Sequence, residues 1–394
     1  MMSSETNTKK SGKQILLTAV ITAVISVFIS FVVFYFIFLS DAKYLKLKQL
    51  DFFVNNYFYG EVETTQINDL IVRGYLAGLE DKYARYYSVE ETNERNKDLS
   101  GQGKGIGVII TKHPDNNNIF ISNVYDNGPA AQAGIKSFDQ IISVDGVSVE
   151  ELGYKKAVEA VLKNVGEKVK LEILRDSETF TAEVTCTEFV AQTVFAQMLE
   201  DNIGYVEITA FNGGTTVQFQ NAVNQLVADG AKALIFDLRN NGGGTVDAVC
   251  EMVDFICPEG DIMTVKYANQ KTKVLAKSDQ NEIDLPMVVL TNEGTASASE
   301  LFVQSVKDFE KGISIGSKTY GKGVMQTTYE FTDGSSVAFT VAEFVAHGGV
   351  SFNEKGIEAD IEVTLSEDEI KYQHIVPANQ DAVVVAAIGY LNGN

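Results

Sequence analysis

The chain has 394 residues, of which 45% are hydrophobic and 22% charged, so it is long enough for several domains with ordinary globular cores. Its formal net charge of −21 repels phosphate backbones, and we therefore expect no nucleic acid partner. The few cysteines and histidines show neither a disulfide framework nor metal-ligand spacing, so we expect no metal and no cofactor. Cys250 and Cys257 are interpreted as small core residues rather than redox groups.

The run from Ile15 to Leu39 contains no charged residue. As a helix it would extend about 37 Å, enough to cross a bilayer with some tilt. Lysines precede it, which favours a cytoplasmic N-terminus over residues 1–14, although lysines also follow it. A cleavable signal peptide is the alternative, but its apolar region is usually shorter and no A-x-A-like site follows. We expect an uncleaved single-pass anchor at 15–39.

The segment 40–95 has apolar spacing that is typical of amphipathic helices, for example at Ile67, Leu70 and Ile71. No motif in it carries chemistry, so packing or dimerisation is its expected role. This segment and the apolar stretch Ala382–Leu391 near the C-terminus could form the interface of a homodimer.

The segment 96–187 changes to short strands separated by turns. Glycines at alternate positions from Gly101 lead into the first strand, and a hairpin turns around Asp176 and Ser177. The predicted elements are strands at 108–111, 119–124 and 141–144, helices at 130–133 and 154–164, and hairpin strands at 168–174 and 179–186.

This order of elements, with the phrase GPAAQAGIKSFDQIISVDG, resembles a PDZ domain. The resemblance implies that Gly105, Ile106 and Gly107 offer backbone N–H groups to a peptide's terminal carboxylate. The strand from Val108 onwards would then pair with the peptide. Glycine suits this loop because a backbone without side chains can approach the carboxylate closely. Phe138 departs from the family, which usually has glycine there.

From Ile203 onwards strands alternate with helices, which indicates a layered α/β core. The predicted strands are 203–209, 233–238 and 286–290, and the predicted helices are 216–228, 246–256 and 298–309.

Three loops in this core carry candidate chemistry. Glycines in the loop Arg239–Gly244 would free backbone N–H groups to face an oxyanion, although a plain connecting turn is the alternative. Ser297 lies at a strand-to-helix junction, where it is either an exposed nucleophile or, with Glu300, part of a capping box. Lys322 lies between two glycines; burial would lower its pKa and let it act as a base, whereas an isolated lysine is normally a solvated charge.

The strings DLRNNGGG, NEGTASASE, GSKTYGKGVMQ and NEKGIEADIEV together resemble the carboxyl-terminal processing peptidases, also called tail-specific proteases, over Phe52–Val363. The resemblance implies that Ser297 is the nucleophile, that Lys322 is the general base and that Gln326 positions the lysine amine. It also implies an oxyanion hole formed by the N–H groups of Ala298 and Gly243. The family has proline at position 242 and usually Pro-Asp at 359–360, where this chain has Gly and Ala-Asp.

Two alternatives remain open. A Ser-His-Asp hydrolase would need a histidine beside a serine, but His347, the one candidate in the core, lies in no triad motif; His113 and His374 lie outside it. A catalytically dead, membrane-tethered PDZ adaptor would have lost catalytic positions, yet Ser297 and Lys322 are both present.

The sequence thus predicts a multidomain α/β protein with an N-terminal transmembrane helix, a helical segment, a PDZ-like β domain and a layered α/β, crotonase-like serine protease core. It would cleave proteins or peptides with exposed C-termini, with its catalytic part outside the cytoplasm and the membrane bound through residues 15–39. The predicted division is 1–14, 15–39, 40–95, 96–187 (PDZ-like), 188–375 (protease core) and 376–394 (C-terminal helical tail).

Overall fold

The computed structural model describes residues 12–38, 42–373 and 375–393. Internal contacts divide the chain into one unit that ends at Asn68 and another that begins at Asp69. Most of the predicted cytoplasmic segment 1–14, Leu39 and His374 lie outside the described residues.

The first unit is helical, with α1 at Gly12–Phe38 and α2 at Ala42–Tyr57; α3, at Thr64–Ala77, begins in it. Residues 15–35 of α1 have a mean hydropathy of 2.7 and none of them is buried, so this helix is long and apolar enough to cross a membrane. The sequence prediction of a long apolar helix is confirmed, and it fits either a membrane anchor or a signal sequence.

The second unit opens with the end of α3, the short strand β1 at Arg85–Tyr87 and helix α4 at Val89–Ser100. Ser88 and Glu91 form the capping box that begins α4, and Gly101, at φ 76°, ends it. The predicted helical segment 40–95 contains α2, α3 and the start of α4. It also contains β1, whose three residues are too few to show an alternating pattern.

The PDZ-like region is a β-sheet of six strands in the order β3-β4-β5-β7-β8, with β6 paired to β5. β2 pairs outside this sheet with β9. The predicted helix 154–164 ends earlier, because Leu162 is already extended. The bounds are β2 Gln102–Gly105, β3 Val108–Lys112, β4 Ile119–Val124, α5 Pro129–Gln132, β5 Gln140–Val144, β6 Val147–Ser148, α6 Val149–Leu152, α7 Tyr154–Val161, β7 Lys168–Arg175, β8 Glu178–Thr185 and β9 Thr187–Val190.

The remaining chain forms two further sheets and the helices around them. In the first sheet the sequence predicted β11, β12 and β15 and the helices α8, α9 and α10. The other strands of the two sheets were not predicted. The bounds are β10 Val194–Met198, β11 Ile203–Ile208, α8 Thr215–Ala228, β12 Ala233–Asp237, α9 Val246–Ile256, β13 Gly260–Tyr267, β14 Thr272–Ser278, β15 Met287–Thr291, α10 Ala298–Asp308, β16 Gly312–Gly316, β17 Val324–Glu330, β18 Ser336–Val345, β19 Ile361–Glu362, α11 Glu367–Tyr372 and α12 Ala382–Leu391.

The first of these sheets runs β10-β11-β12-β15-β16-β19, and all its pairs are parallel except β10 with β11. Helices α8, α9 and α10 cover one face, where Phe219, Phe236 and Phe302 pack ring against ring. Helix α12 covers the other face through Val384 and Ala387. Both faces are thus buried, which is why β12 and β15 consist almost entirely of apolar residues.

The parallel order places the three candidate loops at one edge. The loops after β12, β15 and β16 all leave the carboxyl ends of adjacent strands, where Asp237 pairs with Leu290 and Thr291 with Gly316. Such an edge is where open α/β sheets form their binding sites. The second sheet has the order β1-β18-β13-β14, with β17 paired to β18. Lys322 comes just before β17, and β18 lies between β17 and β1.

Candidate active site

Ser297 caps the N-terminus of α10 with a backbone that is unusual for a side-chain-bearing residue, at φ 61° and ψ −117°. Such a conformation costs on the order of 1–3 kcal/mol and persists only where the surroundings enforce it. Here the Ser297 N–H donates to Glu300 Oε2 (2.9 Å), and its carbonyl accepts from the Leu301 N–H. The turn leaves Ser297 half-buried at a helix N-terminus, where N–H groups point outwards.

Gly243 lies directly against this turn. A side chain there would approach the Ala298 nitrogen to 2.9 Å and Ser297 Cβ to 3.0 Å, and φ is +100°. The predicted oxyanion pair, Gly243 and Ala298, is therefore brought together beside Ser297. In this conformation the Gly243 N–H donates to Asn241 Oδ1 (2.9 Å), and Asn241 is fully buried.

Arg239 fixes the start of the Gly243 loop. Its guanidinium donates to both carboxylate oxygens of Asp237 and, through Nη1, to both oxygens of Asp381, which caps α12. Although burial alone would raise the pKa of Asp237, the Arg239 charge holds it below its usual value. The loop is thus anchored to the sheet and to α12 by bidentate, charge-assisted bonds.

The Glu300 carboxylate joins the two other loops. It is fully buried, and Oε2 accepts from the N–H groups of Ser297 (2.9 Å) and Lys322 (2.7 Å). Oε1 accepts from Gly321 N–H (2.7 Å) and from the Thr319 hydroxyl (2.6 Å). An ionised carboxylate is an acceptor on every side, so it satisfies all of these donors at once. The sequence predicted only a helix-capping role for Glu300. Its position three residues after the candidate nucleophile was the one sign that it could also contribute to the site.

Lys322 is half-buried, and its surroundings make its amine bind a proton less tightly than the amine of an ordinary lysine. Burial lowers the pKa of its ammonium, and the charges of Arg85 and Arg95 lower it further, whereas Asp81 and Glu300 act in the opposite direction. Its Nζ lies 4.8 Å from the centre of the Tyr83 ring. The sequence assigned no chemistry to residues 40–95, yet that segment supplies most of these neighbours.

The side chains of the predicted dyad are not joined in this conformation. Among the described residues, no hydrogen bond links Ser297 Oγ, Lys322 Nζ and Gln326. The Gln326 amide instead donates to Val324 O (3.2 Å) and Thr340 Oγ1 (3.4 Å). The structure therefore brings the backbones of the predicted site residues together, while the roles of their side chains stay predictions.

Neither described histidine takes part in the site. His347 stacks on Phe309 at 4.1 Å, and its Nδ1 lies 3.1 Å from the Asp261 carbonyl. His113 accepts from the Asp115 N–H in the turn between β3 and β4. Burial raises the pKa of Cys250 and of Cys257 to about 12, so both remain protonated thiols.

The loop predicted to bind a peptide carboxylate has two glycines with positive φ and, among the described residues, two unpaired backbone N–H groups. Gly105 and Gly107 have φ of 143° and 75°, and the N–H groups of Ile106 and Gly107 donate to no acceptor within the described chain. β3, which begins at Val108, is the first strand of its sheet, and within the part of the chain that the structure describes it pairs only with β4.

The PDZ-like region contacts the core through aromatic as well as polar groups, since the Tyr125 ring lies 6.3 Å from the ring of Phe195 on β10. Asn123 Nδ2 donates to Glu207 Oε2 (2.9 Å), next to the Asp237 site. Asp115 pairs with Lys371 (2.6 Å) and accepts from the Tyr372 hydroxyl on α11.

Comparisons with known proteins identify the family of this chain. The profile of peptidase family S41 matches residues 202–363, and that of the PDZ domain matches residues 96–174. The carboxy-terminal processing protease CtpA of Bacillus subtilis (strain 168) is 31% identical over 328 residues, which cover 83% of this chain and 70% of that protein. The "Probable CtpA-like serine protease" of Staphylococcus haemolyticus (strain JCSC1435) is 32% identical over 313 residues, 79% of this chain and 62% of that protein.

A solved structure from Bacteroides fragilis NCTC 9343, assigned to the S41 proteases, shares the fold. It aligns with a TM-score of 0.61 over 85% of this chain and 92% of the other, at 17% identity. Fold and relatives together define a serine peptidase with a PDZ domain. The chain belongs to peptidase family S41, in its carboxy-terminal processing group.

The Glu300 network generates a direct prediction. In Glu300→Gln, one acceptor atom becomes an NH2 group that faces backbone N–H donors, so at least one buried donor loses its partner. We expect kcat for peptide hydrolysis to fall about 100-fold, since reacting groups displaced by about 1 Å cost this much. KM should change little. The matched control, Glu358→Gln, alters an exposed glutamate paired with Lys318 and should leave both constants unchanged. Equal activity of the two variants would contradict the role of Glu300.

Proposed function

We propose that this chain is a serine endopeptidase that cleaves extracytoplasmic proteins near their C-termini through a Ser297–Lys322 dyad. The single observation that carries the proposal is the Glu300 carboxylate, which binds the backbones of both residues within 2.9 Å. A lysine with a lowered pKa, a nucleophile at a strained helix start and an adjacent glycine loop are the parts that acyl transfer needs.

The proposed reaction begins with a neutral Lys322 amine. Lys322 takes the proton of Ser297 Oγ as this oxygen attacks the scissile carbonyl, and the Ala298 and Gly243 N–H groups bind the resulting oxyanion. The Lys322 ammonium then returns the proton to the leaving amine, which leaves an acyl-enzyme. Water attacks the ester, Lys322 takes a proton from it, and Ser297 Oγ leaves with that proton as the C-terminal acid forms.

Two changes from the described conformation are required for this chemistry. Lys322 Nζ must reach Ser297 Oγ, with Gln326 positioning the amine. The Gly243 N–H must exchange Asn241 Oδ1 for the substrate oxygen. These changes involve side chains and a glycine turn, and substrate binding would supply their free energy.

The PDZ domain, in this proposal, recognises the C-termini of substrates or regulators through Gly105, Ile106, Gly107 and the edge of β3. A bound tail would then be delivered to Ser297, or it would shift the PDZ domain on the core. Such a shift would separate the rings of Tyr125 and Phe195 and break the Asn123–Glu207 hydrogen bond, so tail binding would have to supply that free energy.

The cellular setting and assembly are part of the same proposal. Helix α1 would be a single-pass membrane anchor with the catalytic part on the extracytoplasmic side. A homodimer would form in part through α12, on which Val385 and Tyr390 are 50% and 43% exposed.

The dyad is tested on the full chain in detergent with casein as an unfolded substrate. Wild type should cleave it, whereas Ser297→Ala, Lys322→Ala and Lys322→Arg should not, since a guanidinium cannot give up its proton. As the base must be neutral, kcat/KM should rise with pH through a Lys322 pKa that lies below the ordinary lysine value. Cleavage that survives Ser297→Ala or Lys322→Arg would contradict the dyad, and no cleavage of any substrate by wild type would favour the adaptor.

Recognition of the carboxylate is tested with two forms of one peptide, which end in a free carboxylate or in an amide. Neutralising the terminus removes the charge that the Ile106 and Gly107 N–H groups would bind, so the amide should bind the full chain at least about tenfold more weakly. Isothermal titration with the Ser297→Ala variant measures this without cleavage. Equal affinity for the two peptides would contradict the proposed PDZ site.

A further inference from the structure

We propose that Asp81 is a positioning residue for the catalytic base, acting on Gln326 through the hydroxyl of Thr340. The proposal rests on the Ser297–Lys322 chemistry put forward above. Asp81 lies between α3 and β1, far outside the residues 202–363 that match the peptidase profile, and 259 residues before Thr340 in the chain.

Asp81 binds the core strand that faces Gln326. Its Oδ2 accepts from the Thr340 N–H (2.8 Å), and its Oδ1 accepts from the Thr340 hydroxyl (3.1 Å) and from the Tyr83 N–H (3.0 Å). The Asp81 carboxylate thus accepts hydrogen bonds from three donors, two on β18 and one in the segment leading into β1. An asparagine cannot replace it fully, because its NH2 group would face at least one of these donors.

The carboxylate sets the direction of the hydrogen bonds that lead to Gln326. Since Asp81 only accepts, the Thr340 hydroxyl donates to it and must accept from the next group. That group is Gln326 Nε2, at 3.4 Å, which also donates to Val324 O. With its NH2 group held in this way, Gln326 keeps its amide oxygen as the acceptor that can receive an N–H of the Lys322 amine.

Asp81 also contributes charge. Burial, Arg85 and Arg95 lower the pKa of Lys322, whereas the negative charges of Asp81 and Glu300 raise it. The Tyr83 ring also lies against the amine. These groups come from β1, α4, α10 and the segment before β1. A lysine whose pKa fell too far would be a weak base, so the negative charge of Asp81 keeps Lys322 basic enough to remove the serine proton.

Asp81→Asn, made in the full chain in detergent, tests both effects. We expect kcat to fall about 10- to 100-fold with KM within about twofold, as for a misplaced reacting group. The rising limb of kcat/KM against pH should move to lower pH, because an opposite charge near Lys322 is lost. The matched control is Asp333→Asn, which removes a carboxylate with similar bonds to Ser335 and should leave the profile unchanged. A folded Asp81→Asn enzyme with wild-type kcat and pH profile would overturn the proposal.

Thr340 provides a second test that does not depend on the stability of Asp81→Asn. Thr340→Val removes the hydroxyl but keeps the Asp81 charge, so kcat should fall as in Asp81→Asn without movement of the pH limb. Thr340→Ser restores the hydroxyl and should restore kcat. Equal kcat values for Thr340→Val and Thr340→Ser would overturn the role of the hydroxyl.

A measurement without catalysis separates this proposal from the proposed function. The pKa of Lys322 is followed by NMR in protein with 13C-labelled lysine, with its signal assigned from Lys322→Arg. Asp81→Asn should lower this pKa even if Ser297 proves not to be the nucleophile. An unchanged Lys322 pKa would overturn the charge role of Asp81, while loss of the Ser297 dependence of cleavage would overturn only the proposed function.

Discussion

The buried Glu300 carboxylate is the interaction on which the site depends. Four donors from the turn at Ser297 and from the segment 319–322 converge on it, so two loops that the sheet merely brings near each other become fixed in one geometry. Leaving any of these donors unpaired inside the core would cost about 1–3 kcal/mol. The same bonds hold Ser297 in its strained conformation, and they leave its side chain half-buried beside Gly243.

The layered fold brings together the loops whose relative positions Glu300 then fixes. Parallel pairing of β12, β15 and β16 brings the glycine loop, the serine turn and the lysine segment to one edge, and the Arg239 fork ties that edge to α12. The segment before β1 places the Tyr83 ring beside Lys322, and β1 adds the charge of Arg85. One contact of the PDZ-like region with the core is at Glu207, whose neighbour Asp237 on β12 binds Arg239 at the start of the Gly243 loop.

The sequence predicted those helices, strands and turns that a local pattern of residues reveals. The apolar runs of β12 and β15, the amphipathic helices between them and the hairpin around Asp176 all follow from periodicity and turn residues. Strand β1 has only three residues, and the pairing of β13 and of β17 contains register shifts, which interrupt an alternating pattern. The strands β10, β14, β16, β18 and β19 were not predicted either. The contact of Asp81 with Thr340 spans 259 residues, and no local pattern can reveal a partner at that distance in the chain. Gln326 was predicted from resemblance, and its present bond to Thr340 could be read only from the structure.

The most direct test of the central claim is the rate at which a fluorophosphonate labels Ser297, followed by mass spectrometry of the intact and digested protein. A serine activated by Lys322, with Glu300 holding both backbones, should be the single labelled residue in wild type. Labelling should be absent in Lys322→Met and about 100-fold slower in Glu300→Gln, in proportion to the expected misplacement of the reacting groups. Labelling of another residue, or equal rates in wild type and both variants, would contradict the account.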